Sequence, residues 1–342
     1  MIPLMHRDGK WSLRTAIALW CILVTIIIVV PPDKVISWDT LGYYLYLPAT
    51  FIYKDPFLLH QAWLHHALET YGGMDGGGFY QAHQVARGNW VMKYPMGLAV
   101  LWAPFVAVAH WVAPVLGYPA DGFSRPYQIS IVVAEMAYAL LGLLWLRAVL
   151  LRWWEDRVVS ATLVLVVLGT TYVHQALFAN GMPHIFLFTL QAGTLYATVR
   201  WYDTKQMRYA LLLAITIGLA ALSRPTELVL LLIPLLWKGP EQAQKWRMLA
   251  GAALGIGLIG SAQLIYWKYA TGEFLHMSYV GHEEGFDFLK PHIGQVLFSF
   301  RKGWFIYTPL MLFAVFGLFK LPRWAPEVRL AIPVFMAVNL YL

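Results

Sequence analysis

The 342-residue chain has a single cysteine, Cys21, and it lies inside the first apolar run. No intramolecular disulfide and no cysteine-based zinc site can form, so the thiol reads as an inert packing residue. Charge is scarce as well. Asp, Glu, Lys and Arg make up 13% of the residues against 59% hydrophobic ones, a balance that excludes an ordinary soluble domain and marks an integral membrane protein. The phosphate loops G-x-x-x-x-G-K-S/T and G-x-G-x-x-G are missing, so neither ATP nor a dinucleotide is expected as a driver. The run Gly72-Gly73-Met74-Asp75-Gly76-Gly77-Gly78 lacks their spacing and reads as a hinge. There is no H-E-x-x-H. His65-His66, and His282-Glu283-Glu284 with Asp287, do not set ligands on one helical face, and no metal cofactor is expected. No internal repeat is visible, which weighs against inverted-repeat transporters.

What is present is a series of apolar runs. The first, Thr15 to Val30, follows Arg7, Lys10 and Arg14 and ends at Pro31-Pro32, which predicts a retained signal anchor with a cytoplasmic N-terminus. Later runs fall near 127–147, 158–174, 185–200, 209–223, 225–237, 248–268, 303–319 and 330–342. With ~20 residues needed per crossing, the fold class expected is an all-α polytopic membrane bundle of about nine helices, one domain over 1–342. The last run stops at Leu342 with no polar tail, and the chain is expected to be the front part of a longer protein. The net charge of +7 is read as topology signals rather than nucleic-acid binding. The clusters Arg147/Arg152/Arg157, Arg200/Lys205/Arg208, Lys238/Lys245/Arg247 and Lys320/Arg323/Arg329 fall in every second connection, and all four are expected to be cytoplasmic. That parity leaves Gly97 to Leu116 without a crossing to make. Pro104 and Pro114 predict a broken helix there, lying in or re-entering the outer interface. The outer side then receives a long loop over 31–126 with interfacial helices, short turns near Ala179–His184 and Ser223–Glu227, and a loop over 269–302.

Several outer residues carry chemistry. Asp39 stands in S-W-D-T-L-G-Y-Y-L-Y-L-P-A, just past the first span. One reading makes it the N-cap of an interfacial helix; the other makes it a general base, since a carboxylate with reference pKa ~3.9 is ionised at neutral pH. Tyr43, Tyr44 and Tyr46 follow it, Tyr43 and Tyr46 on one helical face, with hydroxyls and rings that suit a sugar. Arg224 and Glu227, at the turn L-S-R-P-T-E, read either as a local i, i+3 pair or, for Arg224, as a phosphate ligand. Arg301 and Lys302 break the positive-inside trend and serve either headgroup anchoring or charge stabilisation on a departing phosphate. Asn180 and His184 lie at the short outer turn, where they could face the cavity of Asp39. Glu135, inside a span, has no assigned role.

Together these pieces resemble the GT-C glycosyltransferases, closest to bacterial relatives of the protein mannosyltransferase and aminoarabinose transferase group. Asp39 stands where the family has its first-loop aspartate, and Lys93-Tyr94-Pro95-Met96-Gly97-Leu98 resembles the proline-led segment that follows. Asn180-Gly181-Met182-Pro183-His184, Arg224-Pro225-Thr226 and Arg301-Lys302-Gly303-Trp304-Phe305-Ile306-Tyr307-Thr308-Pro309 are similar to the later outer turns. The chain departs from many relatives in lacking a second acidic residue: Trp38 and Thr40 flank Asp39, and His184 holds the second-loop position. The resemblance implies an inverting transfer of a sugar from a polyprenyl-phosphate donor to an extracytoplasmic glycan, lipid or protein acceptor in the cell's inner membrane. Asp39 would act as base, and Tyr43, Tyr44, Lys93, Asn180, His184, Arg224, Glu227, Arg301 and Lys302 would bind substrate. The rival reading is a transporter or flippase of lipid-linked sugars.

Overall fold

Where water is scarce, a backbone must satisfy its own hydrogen bonds, and an apolar run therefore folds as helix. The computed structural model describes residues 9–85, 88–239, 242–279 and 291–341, and it is mostly helical, 71%. His282, Glu283, Glu284 and Asp287 lie outside the described residues. Four helices are long and apolar enough to cross a membrane: α1 (Lys10–Val29), α4 (Gly97–Val115), α5 (Arg125–Leu150) and α11 (Gln242–Thr271). A fifth crossing results if the pair α6 (Asp156–Gly169) and α7 (Tyr172–Phe178), bent by 55°, is one span. The chain is thus an all-α membrane protein by its helices. Further helical segments of the bundle include α8 (Pro183–Thr204), α9 (Met207–Ser223), a 3-10 turn Pro225–Leu231, α10 (Leu232–Leu236) and a helix over Ala331–Tyr341. The run expected over 303–319 is not one helix but two short pieces, Trp304–Tyr307 and Met311–Leu318, separated by Thr308-Pro309-Leu310. Pro309 disfavours helix at the residue before it, and Thr308 is accordingly non-helical.

Between α1 and α5 lie α2 (Trp38–Tyr44), α3 (Ala62–Tyr71) and a small antiparallel hairpin, β1 (Ala82–Gln84) on β2 (Trp90–Met92), with His83 opposite Val91. The backbone N–H groups of Val35 and Ile36, just past α1, donate to Gln128 Oε1 near the start of α5 at 3.0 and 2.7 Å. At the other end of the same two helices, Arg147 donates to the Gly9 carbonyl and Ser12 Oγ, at 2.6 and 2.9 Å. The chain between them therefore leaves and returns at one end of the bundle.

The opposite end is polar and basic. Asp156 accepts from the N–H groups of Trp11 and Ser12, satisfying the first turn of α1. Arg152 pairs with Asp203 at 2.5 Å and with Glu327 at 3.5 Å, and Lys238 N–H donates to the Glu327 carbonyl. Arg147, Arg152 and Lys238 from two of the basic clusters are gathered here, with Asp203 and Glu327 lying in the chain segments that carry the other two.

Helix α4 corrects one expectation. Pro104 and Pro114 do not break it; it is a single helix of 19 residues. A proline costs one i→i−4 bond, and helices packed among others absorb that loss. Gly97 lies so close to Ser223 at the end of α9 that an added Cβ would stand 2.3 Å from its backbone nitrogen. From there α4 runs antiparallel to the N-terminal half of α5: Tyr138 Oη donates to the Leu101 carbonyl, and His110 Nδ1 meets Tyr127 Oη at 2.6 Å.

Candidate functional site

Asp39 sits in the first turn of α2, half-buried, but it does not cap the helix. Ser37 holds the N-cap position with extended backbone and makes no side-chain cap bond. The Asp39 carboxylate is held instead by two phenols from other parts of the loop. Tyr80 Oη donates to Oδ1 at 2.7 Å and Tyr94 Oη donates to the same oxygen at 2.6 Å. Burial raises the pKa of both phenols above the ordinary tyrosine value, and the neighbouring Asp39 carboxylate raises it further. They therefore stay protonated donors throughout the physiological range. Among the described residues Oδ2 accepts no hydrogen bond, and Asp39 lines a cavity of about 350 Å³ with Trp38, Thr40, Tyr80, Lys34 and Asn180.

Tyr94 links the carboxylate to a cationic neighbourhood. Its ring stacks on Tyr43 with centroids 4.5 Å apart and planes inclined by 26°. Gly42 makes room for it, since a Cβ there would stand 2.5 Å from the Tyr94 ring. Tyr46 lies on the same face and donates to the Tyr94 carbonyl at 2.8 Å. Burial raises the Tyr43 pKa, the neighbouring Tyr279 raises it further, and the positive charge of Arg224 pulls the other way. Lys93 Nζ lies 5.4, 5.7 and 5.9 Å from the ring centroids of Tyr80, Tyr94 and Tyr279, a cation set against three π faces. The charges of Arg224 and Lys302 both act on His184, which opens α8.

Six of the sequence-predicted residues thus fall in one neighbourhood: Asp39, Tyr43 and Lys93 are joined through Tyr80 and Tyr94, while the charge of Arg224 acts on Tyr43 and those of Arg224 and Lys302 on His184. The others go elsewhere. Tyr44 is fully buried, donates to the Gly122 carbonyl at 2.5 Å and packs against Trp102 and Phe123, because consecutive residues on a helix point in different directions. Glu227 is buried and accepts from Gln191 Nε2 at 3.0 Å inside the bundle. No Arg224–Glu227 ion pair forms among the described residues: the Glu227 carboxylate accepts from Gln191, and the Arg224 charge acts on both Tyr43 and Glu227. Asn180 lines the Asp39 cavity, yet its amide donates to Glu135 Oε2 at 3.1 Å and to the Ala176 carbonyl at 2.9 Å. Arg301 is exposed, and its N–H donates to Ser299 Oγ; its side chain is not brought to Asp39.

Sequence reasoning missed Tyr80 and Tyr94 as partners of Asp39 and left Glu135 without a role. Tyr80 and Tyr94 hold the carboxylate from 41 and 55 positions away, a pairing that no local pattern announces. Glu135, fully buried, accepts from the Gly181 N–H at 3.0 Å as well as from Asn180, and so fixes the second outer turn against Thr40. A carboxylate inside a span was the available signal for it. Among the described residues no group of three or more His, Cys, Asp or Glu is arranged to hold a metal ion. His65 and His66 are exposed on α3, while His83 Nε2 and His276 Nε2 meet at 3.3 Å.

No family model matches the chain, and neither a curated protein nor a solved structure matches it.

Proposed function

We propose that the chain is the membrane domain of a GT-C-type glycosyltransferase, a polytopic bundle of about nine spans with a cytoplasmic N-terminus in the cell's inner membrane. In this reading it transfers a sugar from a polyprenyl phosphate to an extracytoplasmic acceptor. The observation that carries the reading is Asp39. Its carboxylate is oriented by two tyrosines at the wall of a sugar-sized cavity, with Arg224 and Lys302 reached through Tyr43 and His184. A carboxylate whose Oδ1 is occupied by two phenols keeps Oδ2 for a proton, and its direction is set before substrate arrives. In the transfer, Oδ2 takes the proton of an acceptor hydroxyl or amine as its oxygen or nitrogen attacks the anomeric carbon. The bond from that carbon to the phosphate oxygen breaks on the opposite face, inverting the centre. The electron pair leaves with the polyprenyl phosphate, whose negative charge Arg224 and Lys302 are suited to stabilise.

The test is reconstitution of the wild type and Asp39→Asn with radiolabelled polyprenyl-phosphate sugars and cell-envelope extract, measuring label on any acceptor. Transfer by the wild type that falls by ~10²-fold or more in the variant, with the fold intact, supports the reading. Equal transfer by both removes the base, and movement of labelled lipid across the bilayer without transfer favours the flippase.

A further inference from the structure

Trp38 precedes the proposed base and differs from the tyrosines around it. Tyr43 and Tyr94 are buried and Tyr80 is half-buried, whereas Trp38 is 59% exposed; Phe178, lining the same cavity, is exposed as well. The Trp38 backbone takes a φ of +50°, a conformation that costs a bulky residue free energy and persists only where the surroundings impose it. Here they do. The Trp38 N–H donates to the Met74 carbonyl at 2.7 Å, and its own carbonyl accepts from Gln81 Nε2 at 3.1 Å, with Gln81 fully buried. One edge of the indole lies against Gly76, where an added Cβ would stand 2.6 Å from the ring. Gly76 itself has a φ of +74°, so the glycine-rich turn supplies both the close approach and the bend that permits it. The glycine run is thus a seat for the indole as well as a turn.

A tryptophan that merely anchors a protein at the membrane interface needs none of this; an unstrained helical position would do. What the strained backbone achieves is placement of an exposed indole on the wall of the 350 Å³ cavity, one residue from Asp39. A flat ring beside a carboxylate matches a pyranose, whose axial C–H groups form an apolar face while its hydroxyls project from the rim.

The geometry points to Trp38 as the stacking platform of an acceptor subsite, holding a pyranose so that one hydroxyl meets Asp39. The name acceptor rests on the transferase reading; the sugar platform does not. Arg224 and Lys302 are connected to Asp39 through Tyr43, Tyr94 and His184, whereas Trp38, Lys34 and Asn180 line the cavity itself. The platform is therefore assigned to the cavity wall that Trp38 shares with Lys34 and Asn180, and the donor phosphate to Arg224 and Lys302.

The experiment uses the chain in lipid nanodiscs, free of glycoside detergents, with its sixteen tryptophans replaced by 5-fluorotryptophan. The fluorine resonance lost in Trp38→Phe identifies Trp38. Titration with methyl glycosides of several hexoses and pentoses is expected to shift that resonance saturably, in the wild type and in Asp39→Asn alike. A shift with no saturation for any glycoside, or one that glycerol reproduces, overturns the platform. In the transfer assay, Trp38→Ala is expected to raise the acceptor KM about tenfold with kcat within about twofold, and Trp38→Phe to recover most of the loss. A lowered kcat at unchanged KM, with Trp38→Phe no better than Trp38→Ala, assigns the residue a structural role and overturns the platform. A saturable shift in a protein that transfers no sugar keeps the platform and defeats the transferase reading; transfer without the shift does the reverse.

Discussion

A carboxylate that accepts two hydrogen bonds on one oxygen has lost its rotational freedom but not its capacity to take a proton. That is the state of Asp39, and it makes the two phenols separable from the base by mutation. A hydrogen bond to a charged group contributes ~1.5–3 kcal/mol. Tyr80→Phe and Tyr94→Phe should therefore each lower kcat by about 10- to 100-fold while leaving the carboxylate in place. The double variant should fall short of the sum, because the two phenols hold one oxygen as a unit and the loss of either already frees the carboxylate. Initial rates in the reconstituted transfer assay check this, and rates unchanged in both single variants would remove the orienting role. Tyr44 is the control. Its hydroxyl serves only the Gly122 carbonyl inside the core, so Tyr44→Phe should leave the rate alone and lower stability by ~1–3 kcal/mol, read as a lower thermal midpoint. The contrast between neighbours also shows what the sequence could convey. Asp39, Tyr43 and Arg224 were legible because an ionisable or aromatic residue at an outer turn stands out against an apolar background. Tyr44 was not separable from Tyr43 by composition, and only the direction of each side chain around α2 divides them.

At the scale of elements, the helices of the bundle were legible wherever an apolar run exceeded the length of a crossing, and their ends shifted by only a few residues. The connection between α1 and α5 was not. Its contacts join Tyr80 to Asp39, Asn89 to the Ala270 carbonyl and His83 to His276, with separations of 41, 181 and 193 residues, and hydropathy carries no information at such range. The histidine contact gives this layer a pH dependence. Burial lowers the His83 pKa below its ordinary value, and the nearby His276 lowers it further. For a base whose folded pKa lies below the unfolded value of ~6.5, the unfolded or detached form binds more protons, so stability rises with pH through that range and falls as pH drops below it. The segment around Phe274–Ser278 should therefore loosen from the β1–β2 hairpin as pH is lowered from about 7.5 to 5.5. Hydrogen exchange of its amides should accelerate more than the intrinsic rate change explains, and His83→Gln should abolish the excess. Exchange that follows the intrinsic pH trend in the wild type would show that the pair does not hold the segment.

For the whole molecule, the decisive property is that two ends can be told apart. Gly9, Arg147, Arg152, Asp203 and Glu327 meet at one, and Val35, Gln128, Asp39 and Tyr94 at the other. Any arrangement in a bilayer must respect that division, whichever end faces the cytoplasm. In the proposed orientation the basic end faces the cytoplasm, where Lys and Arg are retained. Helix α4, itself long and apolar enough to cross, runs beside the N-terminal half of α5, inside a stretch of chain that begins and ends at the Asp39 end. In the sequence its two prolines obscured a continuous helix, since the tolerance of a helix for proline depends on neighbours that a single sequence does not display. In a Cys21→Ala background, single cysteines at exposed positions test the arrangement directly. His66→Cys on α3 and Leu116→Cys after α4 should react with a membrane-impermeant maleimide on intact cells. Arg157→Cys and Gln206→Cys should react only after permeabilisation. Reaction of Arg157→Cys on intact cells with protection of His66→Cys would invert the orientation and place Asp39 beside cytoplasmic donors. Reaction of His66→Cys and Gln206→Cys from the same side would contradict the two-ended bundle, and with it the separation of the acidic site from the basic anchors on which the transferase reading depends.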